Sequence, residues 1–158
     1  MTTTSDFLII PIGGDVIDRA RADAASGSTS PVATLTAAGG EPLRCCLTNA
    51  SRGDTIILFN YEPPLPPSPY QERGAVFVHA APCRPDLDPH VYPSEWRGRA
   101  QVLRAYDRRG WIRAASVHEG TAPEEAITAA LADPAVVELH SRNVAYGCFM
   151  FSVRRADV

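Results

Sequence analysis

The sequence predicts an α+β fold: a single domain over residues 1–158, with a largely antiparallel mixed sheet of about seven or eight strands and two helices. Three observations carry this. Thr55–Asn60 (TIILFN) and Ala75–His79 (AVFVH) are short, rich in β-branched residues and nearly continuous in apolar character, as buried strands are. Asp107–Gly110 (DRRG) is a hairpin turn signal between two strand-like runs, Gln101–Tyr106 and Trp111–His118. From Thr121 the spacing turns helical, with Ala126, Ile127, Ala130 and Leu131 on one stripe. Thr121 and Glu124 match a capping box, Pro123 suits a first turn, and Asp133–Pro134 ends the run.

The remaining elements follow in order. Residues 6–12 (DFLIIPI) read as a first strand, and Asp15–Ala24 as a helix with Val16 and Ile17 inward. Small residues at 25–31 and 37–42 flank a strand at 32–36. Leu43–Leu47 (LRCCL) reads as a short strand and 49–54 (NASRGD) as a turn. Residues 62–69 hold five prolines in eight positions, which excludes a helix or a central strand; the segment is a stiff loop, either a lid or a connector. Residues 82–98 are irregular. Ala135–His140 and Cys148–Val153 are the last strands, joined by 141–147 (SRNVAYG).

Composition narrows the function. The 15 cationic residues are all arginine, against 18 acidic ones, for a net charge of -3. That balance argues against nucleic acid as a partner, which demands a basic excess. Without lysine, a Schiff base and a P-loop are excluded. No apolar run is long enough to span a membrane. The start, MTTTSDFLII, lacks the basic and apolar regions of a secretory signal, so the expected compartment is the cytoplasm. There the four cysteines, Cys45, Cys46, Cys83 and Cys148, are expected to stay reduced.

Alternation across strands sorts the reactive groups by face. In LRCCL, Leu43, Cys45 and Leu47 share the core side, while Arg44 and Cys46 share the other. A guanidinium beside Cys46 would favour its thiolate. In the last strand Phe149, Phe151 and Val153 form an apolar face, and Cys148, after a permissive Gly147, looks away from it. If this strand neighbours LRCCL, Cys46 and Cys148 meet. Cys46, Cys83, Cys148 and His79 offer soft metal ligands, but without a signature spacing, so no metal is expected. In the loop after His140, Arg142 offers a fork of donors for a carboxylate or phosphate, and Asn143 and Tyr146 offer further polar contacts. His79, at the end of its strand, and His140 are acid/base candidates. The bland alternatives are a hydrogen-bonded structural His79, a solvent-facing His140 paired with Glu138, and turn chemistry at Arg142 and Asn143. His118 reads as exposed. No nucleophile elbow and no nucleotide-binding fingerprint is present.

PLRCCLTNASRGDTIILFNYEPP, SPYQERGAVFVH, LRAYD and ADPAVVELHSRNVAYGCFMFSV, in that order, resemble the bacterial family called domain of unknown function 1203. The resemblance implies a family core at 41–155 after a variable part at 1–40, and a bacterial, cytoplasmic protein; it brings no activity with it. The family pattern has a Pro-Cys-Arg run before the first buried strand and a Gly-Cys pair opening the last. Arg44, Gly147 and Cys148 match it. Leu43 stands at the cysteine, and Cys45 and Cys46 follow the arginine instead.

The resulting expectation is a cofactor-independent enzyme acting on a small anionic or carbonyl-bearing metabolite. Its catalytic candidates are Cys148, Cys46, His79 and His140, and its binding candidates are Arg44, Arg142, Asn143 and Tyr146. A non-catalytic module that binds a small ligand or a protein is the alternative. The oligomeric state is open, with a homodimer allowed.

Overall fold

The structure, a computed structural model, describes residues 5–27, 31–83 and 87–157. Ten strands among them form two sheets of five. The first sheet runs β1 (Phe7–Ile10), β10 (Phe149–Arg155), β9 (Val136–Asn143), β7 (Gln101–Asp107) and β8 (Ile112–His118), all antiparallel. The second runs β2 (Val32–Thr36), β5 (Thr55–Tyr61), β6 (Gly74–His79), β3 (Pro42–Leu43) and β4 (Thr48–Asn49), with β3 parallel to β6. Two α-helices complete the α+β architecture, α1 (Gly14–Ala25) and α2 (Pro123–Leu131). The expected single sheet is therefore two, because alternation along a strand names its faces but not its neighbours. Residues 28–30 of the expected linker and 84–86 of the expected irregular segment lie outside the described residues.

Each sheet has its own core. Helix α1 buries Ile17 and Ala20 beside Ile56, Ile57, Val76 and Val78. Helix α2 buries Ile127 and Leu131 beside Leu103, Leu139, Phe151 and Trp96. Burying one such large apolar side chain contributes about 1.5–3 kcal/mol. The stripe read along α2 is thus the buried one. Its capping box does not form: the N-cap is Ala122, without a side-chain cap, and the Glu124 carboxylate is engaged by Arg97.

The prolines at 62–69 bind the β7–β8 turn. Ser68 donates to Gly110 O at 2.9 Å, and a side chain at Gly110, where φ is 78°, would collide with Pro66 O, 2.7 Å from the position of its Cβ. Glycine alone accepts both demands.

Strand β10 breaks its own alternation. Phe149 pairs with Arg142 and Phe151 with Ser141, so the register slips at Met150. This bulge turns Phe149 away from the face of Phe151 and Val153. Phe149 packs against Tyr61 in the second-sheet core, whereas Phe151 stacks on Trp96 in the first. One strand thereby serves both cores, and the bulge sits one residue past Cys148–Phe149, where the sheets meet.

Candidate functional site

The expected strand LRCCL ends after Leu43. The chain then closes a tight turn, with Leu47 N–H donating to Leu43 O at 2.9 Å and Leu47 held at φ 55°. A leucine in the left-handed region is strained by roughly 1–2 kcal/mol. In such a turn successive side chains fan out instead of alternating. Arg44 goes one way; Cys45 and Cys46 go another.

Arg44 is 1% exposed, and no carboxylate contacts it among the described residues. Its Nε donates to Phe149 O at 2.7 Å, its Nη1 to Pro42 O, and its Nη2 to Cys148 Sγ at 3.1 Å. Burial draws its pKa down, and the adjacent Cys148 sulfur opposes that. Arg44 and Cys148 both line a cavity of about 860 Å³ at the junction of the sheets. Leu58, Ala75 and Phe77 form its apolar wall; Arg73, Arg99, Arg142, Glu41 and Glu72 bring charge to it. The volume suits a small metabolite.

Arg142 and Asn143 belong to the end of β9, not to a loop. The Arg142 side chain is 9% exposed; its Nη1 lies 3.1 Å from Gly147 O and 3.3 Å from Glu72 Oε2. Its Nε is buried and has no hydrogen-bond partner among the described residues. Asn143 Oδ1 accepts the Tyr146 N–H at 3.0 Å, which shapes the turn, and Tyr146 stands 87% exposed at the rim.

Neither histidine candidate lines this cavity. His140 is fully buried rather than solvent-facing: its Nε2 lies 2.9 Å from Glu138 Oε1, with the Tyr106 and Phe149 rings beside it at 4.6 and 5.2 Å. Burial opposes ionisation of Glu138, but hydrogen bonds and charge from His140 and Arg154 outweigh it, so its pKa falls. His118 is buried too, its Nδ1 accepting the Gly120 N–H at 3.1 Å.

Cys46 does not share a site with Arg44 and Cys148. It joins Cys45, His79 and Cys83 in a cluster whose ligand atoms all lie within 4.8 Å of one another. Cys45 donates to Cys46 Sγ at 4.0 Å, and this bond, with others from Thr48, draws the Cys46 thiol down against the effect of burial. The same bond pushes Cys45 up. Face-sorting assigned Cys45 to core packing, where it is indeed buried, and named Cys83 only as a soft ligand without a signature spacing. The turn brings Cys45 to His79, and the chain beyond β6 brings Cys83. The cavity residues Arg73, Arg99, Glu41 and Glu72 also went unnoticed, since nothing local marks a charged residue that faces a hollow formed by distant segments. Ala75 and Phe77 carried a signal: they alternate with the buried Val76 and Val78.

No helix among the described residues is long and apolar enough to cross a membrane. No curated protein and no solved structure matches the chain. The family model described as "Protein of unknown function (DUF1203)" matches residues 40–155, which hold the turn, the cysteine cluster and all of the cavity lining except Ala38 and Gly39, and the chain belongs to that family.

Proposed function

We propose that the cavity is the active site of an enzyme that takes a small anionic, carbonyl-bearing metabolite, without a cofactor in the reaction. The observation that carries this reading is the buried Arg44 guanidinium set 3.1 Å from Cys148 Sγ on the cavity wall. A guanidinium stabilises negative charge on sulfur, and the thiolate is the nucleophile. Addition of that sulfur to a carbonyl carbon forms a C–S bond and moves the carbonyl π pair onto oxygen. Arg142, whose side chain lines the same cavity, supplies a guanidinium for this charge or for the anionic group of the substrate. The proposed setting is a bacterial cytoplasm, which keeps such a thiol reduced.

Iodoacetamide tests the reading. Cys148, followed by peptide mapping at pH 6.5, is expected to react at least about tenfold faster than free cysteine. Glyoxylate or inorganic phosphate is expected to protect it, and Arg142→Met to abolish that protection. Reaction no faster than free cysteine, with no protection, overturns the proposal. The second reading is a binding module, favoured by a cavity wall that holds no histidine among the described residues. It predicts protection by the same anions without an elevated thiol rate.

A further inference from the structure

We infer that Cys45, Cys46, His79 and Cys83 bind one zinc ion, at a site separate from the proposed catalytic cavity. A tetrahedral zinc with Zn–S near 2.3 Å and Zn–N near 2.0 Å sets its sulfurs about 3.8 Å apart and each sulfur about 3.5 Å from the nitrogen. The cluster already has this size. Cys45 Sγ lies 4.0 Å from Cys46 Sγ, and His79 Nδ1 lies 3.7 and 3.8 Å from those two sulfurs. Cys83 Sγ falls within 4.8 Å of all three. A disulfide does not explain the geometry: the 4.0 Å separation of Cys45 and Cys46 is about twice an S–S bond.

The surroundings are those of a metal site. His79 turns Nδ1 toward the sulfurs and Nε2 toward Asp54 Oδ2 at 3.6 Å, the carboxylate–imidazole order that orients a ligating histidine. Donors reach each sulfur from outside. The His79 backbone N–H lies 3.3 Å from Cys45 Sγ, Thr48 Oγ1 lies 2.9 Å from Cys46 Sγ, and Arg21 Nη2 lies 3.9 Å from Cys83 Sγ. Three thiolates on a divalent ion leave one negative charge, which Arg21 offsets. Arg21 also ties down the segment that carries two ligands, donating to His79 O and Ala81 O at 3.1 Å each. The strained Leu47 has a reason here, since the turn it closes aims two adjacent cysteines at one point. Four protein ligands close the coordination sphere, so the zinc is structural.

The test uses the full chain. As purified, it is expected to carry one zinc per chain by plasma mass spectrometry. After chelation, titration with Co²⁺ is expected to give the intense visible bands of a tetrahedral thiolate site. Cys83→Ser and His79→Ala are expected to lose the metal, Cys148→Ser to retain all of it, and Asp54→Asn to weaken affinity about tenfold to a hundredfold. If the ligand variants fail to fold, the cobalt spectrum of the unmodified chain still decides. No tetrahedral cobalt spectrum, iron in place of zinc, or full occupancy in Cys83→Ser and His79→Ala overturns the assignment. Because Cys148→Ser disables the cavity reading alone, the two proposals fail separately.

Discussion

Replacing Arg44 with lysine keeps the positive charge at a position that is 1% exposed, but it removes the fork. The guanidinium donates in three directions, to Phe149 O at 2.7 Å, to Cys148 Sγ at 3.1 Å and to Pro42 O. A single ammonium on a flexible stem cannot meet all three. The desolvation penalty is retained, so nothing offsets the lost bonds, each worth about 1.5–3 kcal/mol when the donor is charged. Loss of one or two gives an expected destabilisation of about 2–5 kcal/mol. For a chain of this size that corresponds to a fall in Tm of roughly 5–15 °C. Urea unfolding, followed by tryptophan fluorescence, measures it; the midpoint should drop with the slope unchanged. Arg99→Lys, on an exposed residue at the same cavity, serves as control and should stay within about 0.5 kcal/mol of the parent. Arg44→Lys within about 0.5 kcal/mol of the parent would refute the reasoning, because the three contacts would then contribute nothing. Arg44→Met sharpens the result. It orphans the same carbonyls but also removes a buried charge, so it should be less damaging than its loss of contacts suggests.

Glu138→Gln should destabilise by about 1–3 kcal/mol at pH 7, since it weakens the partner of a fully buried His140. The folded-state pKa of Glu138 is lowered, so its contribution is complete above the ordinary value of 4.5 and is lost as pH falls through the lower folded value. The stability gap between parent and variant should therefore narrow below pH 4.5, and a gap constant with pH would contradict this. Gly120→Ala should be severe, costing about 3 kcal/mol or more. At φ 80° its Cβ would stand 2.6 Å from Arg99 N and 2.8 Å from Gly98 N, and closer still to Arg99 O. Gly53→Ala, at φ 93° but with open space around it, should cost only about 1 kcal/mol; thermal unfolding of the pair separates collision from backbone strain.

What the sequence made legible is what depends on near neighbours. The β7–β8 hairpin, α2 with its Ile127/Leu131 stripe and the strand at Val32–Thr36 stand where local pattern placed them. The guess that the last strand approaches LRCCL named the right segments but the wrong side chain: Arg44, not Cys46, reaches Cys148. The failures share one cause: a local rule overridden by a contact distant in sequence. The LRCCL alternation presumed a strand, but β3 stops after two residues and the next four turn. The apolar face of the last strand presumed an even pleat, but the slip at Met150 sends Phe149 to the other core. The capping box presumed a free Glu124, but Arg97 takes its carboxylate. The bland alternative for His140 set it at the surface because Glu138, two positions away, is the natural partner of an exposed histidine. The pair exists, yet it lies beneath Tyr106 and Phe149.

The turn at 44–47 ties these departures together. A two-residue strand cannot fix the direction of a side chain that leaves it. Arg44 is instead held from both sheets at once: its backbone N–H donates to Phe77 O of β6 at 2.8 Å, and its side chain reaches Phe149 O of β10. Trp96 makes a second bridge nearby, donating from its indole to Asn49 Oδ1 of β4 at 3.0 Å while its ring stacks on Phe151. Polar bridges of this kind let the sheets meet without filling the space between them, and the cavity is what remains. An apolar seam would close it. The same turn presents Cys45 and Cys46 to His79, so a zinc there would clamp the backbone immediately after Arg44. The reactivity of Cys148 would then depend on an ion that never touches the substrate. Stripping the metal should slow alkylation of Cys148 while leaving the Arg142-dependent protection by phosphate in place, because Arg142 is anchored by β9 and Glu72 and owes nothing to the turn.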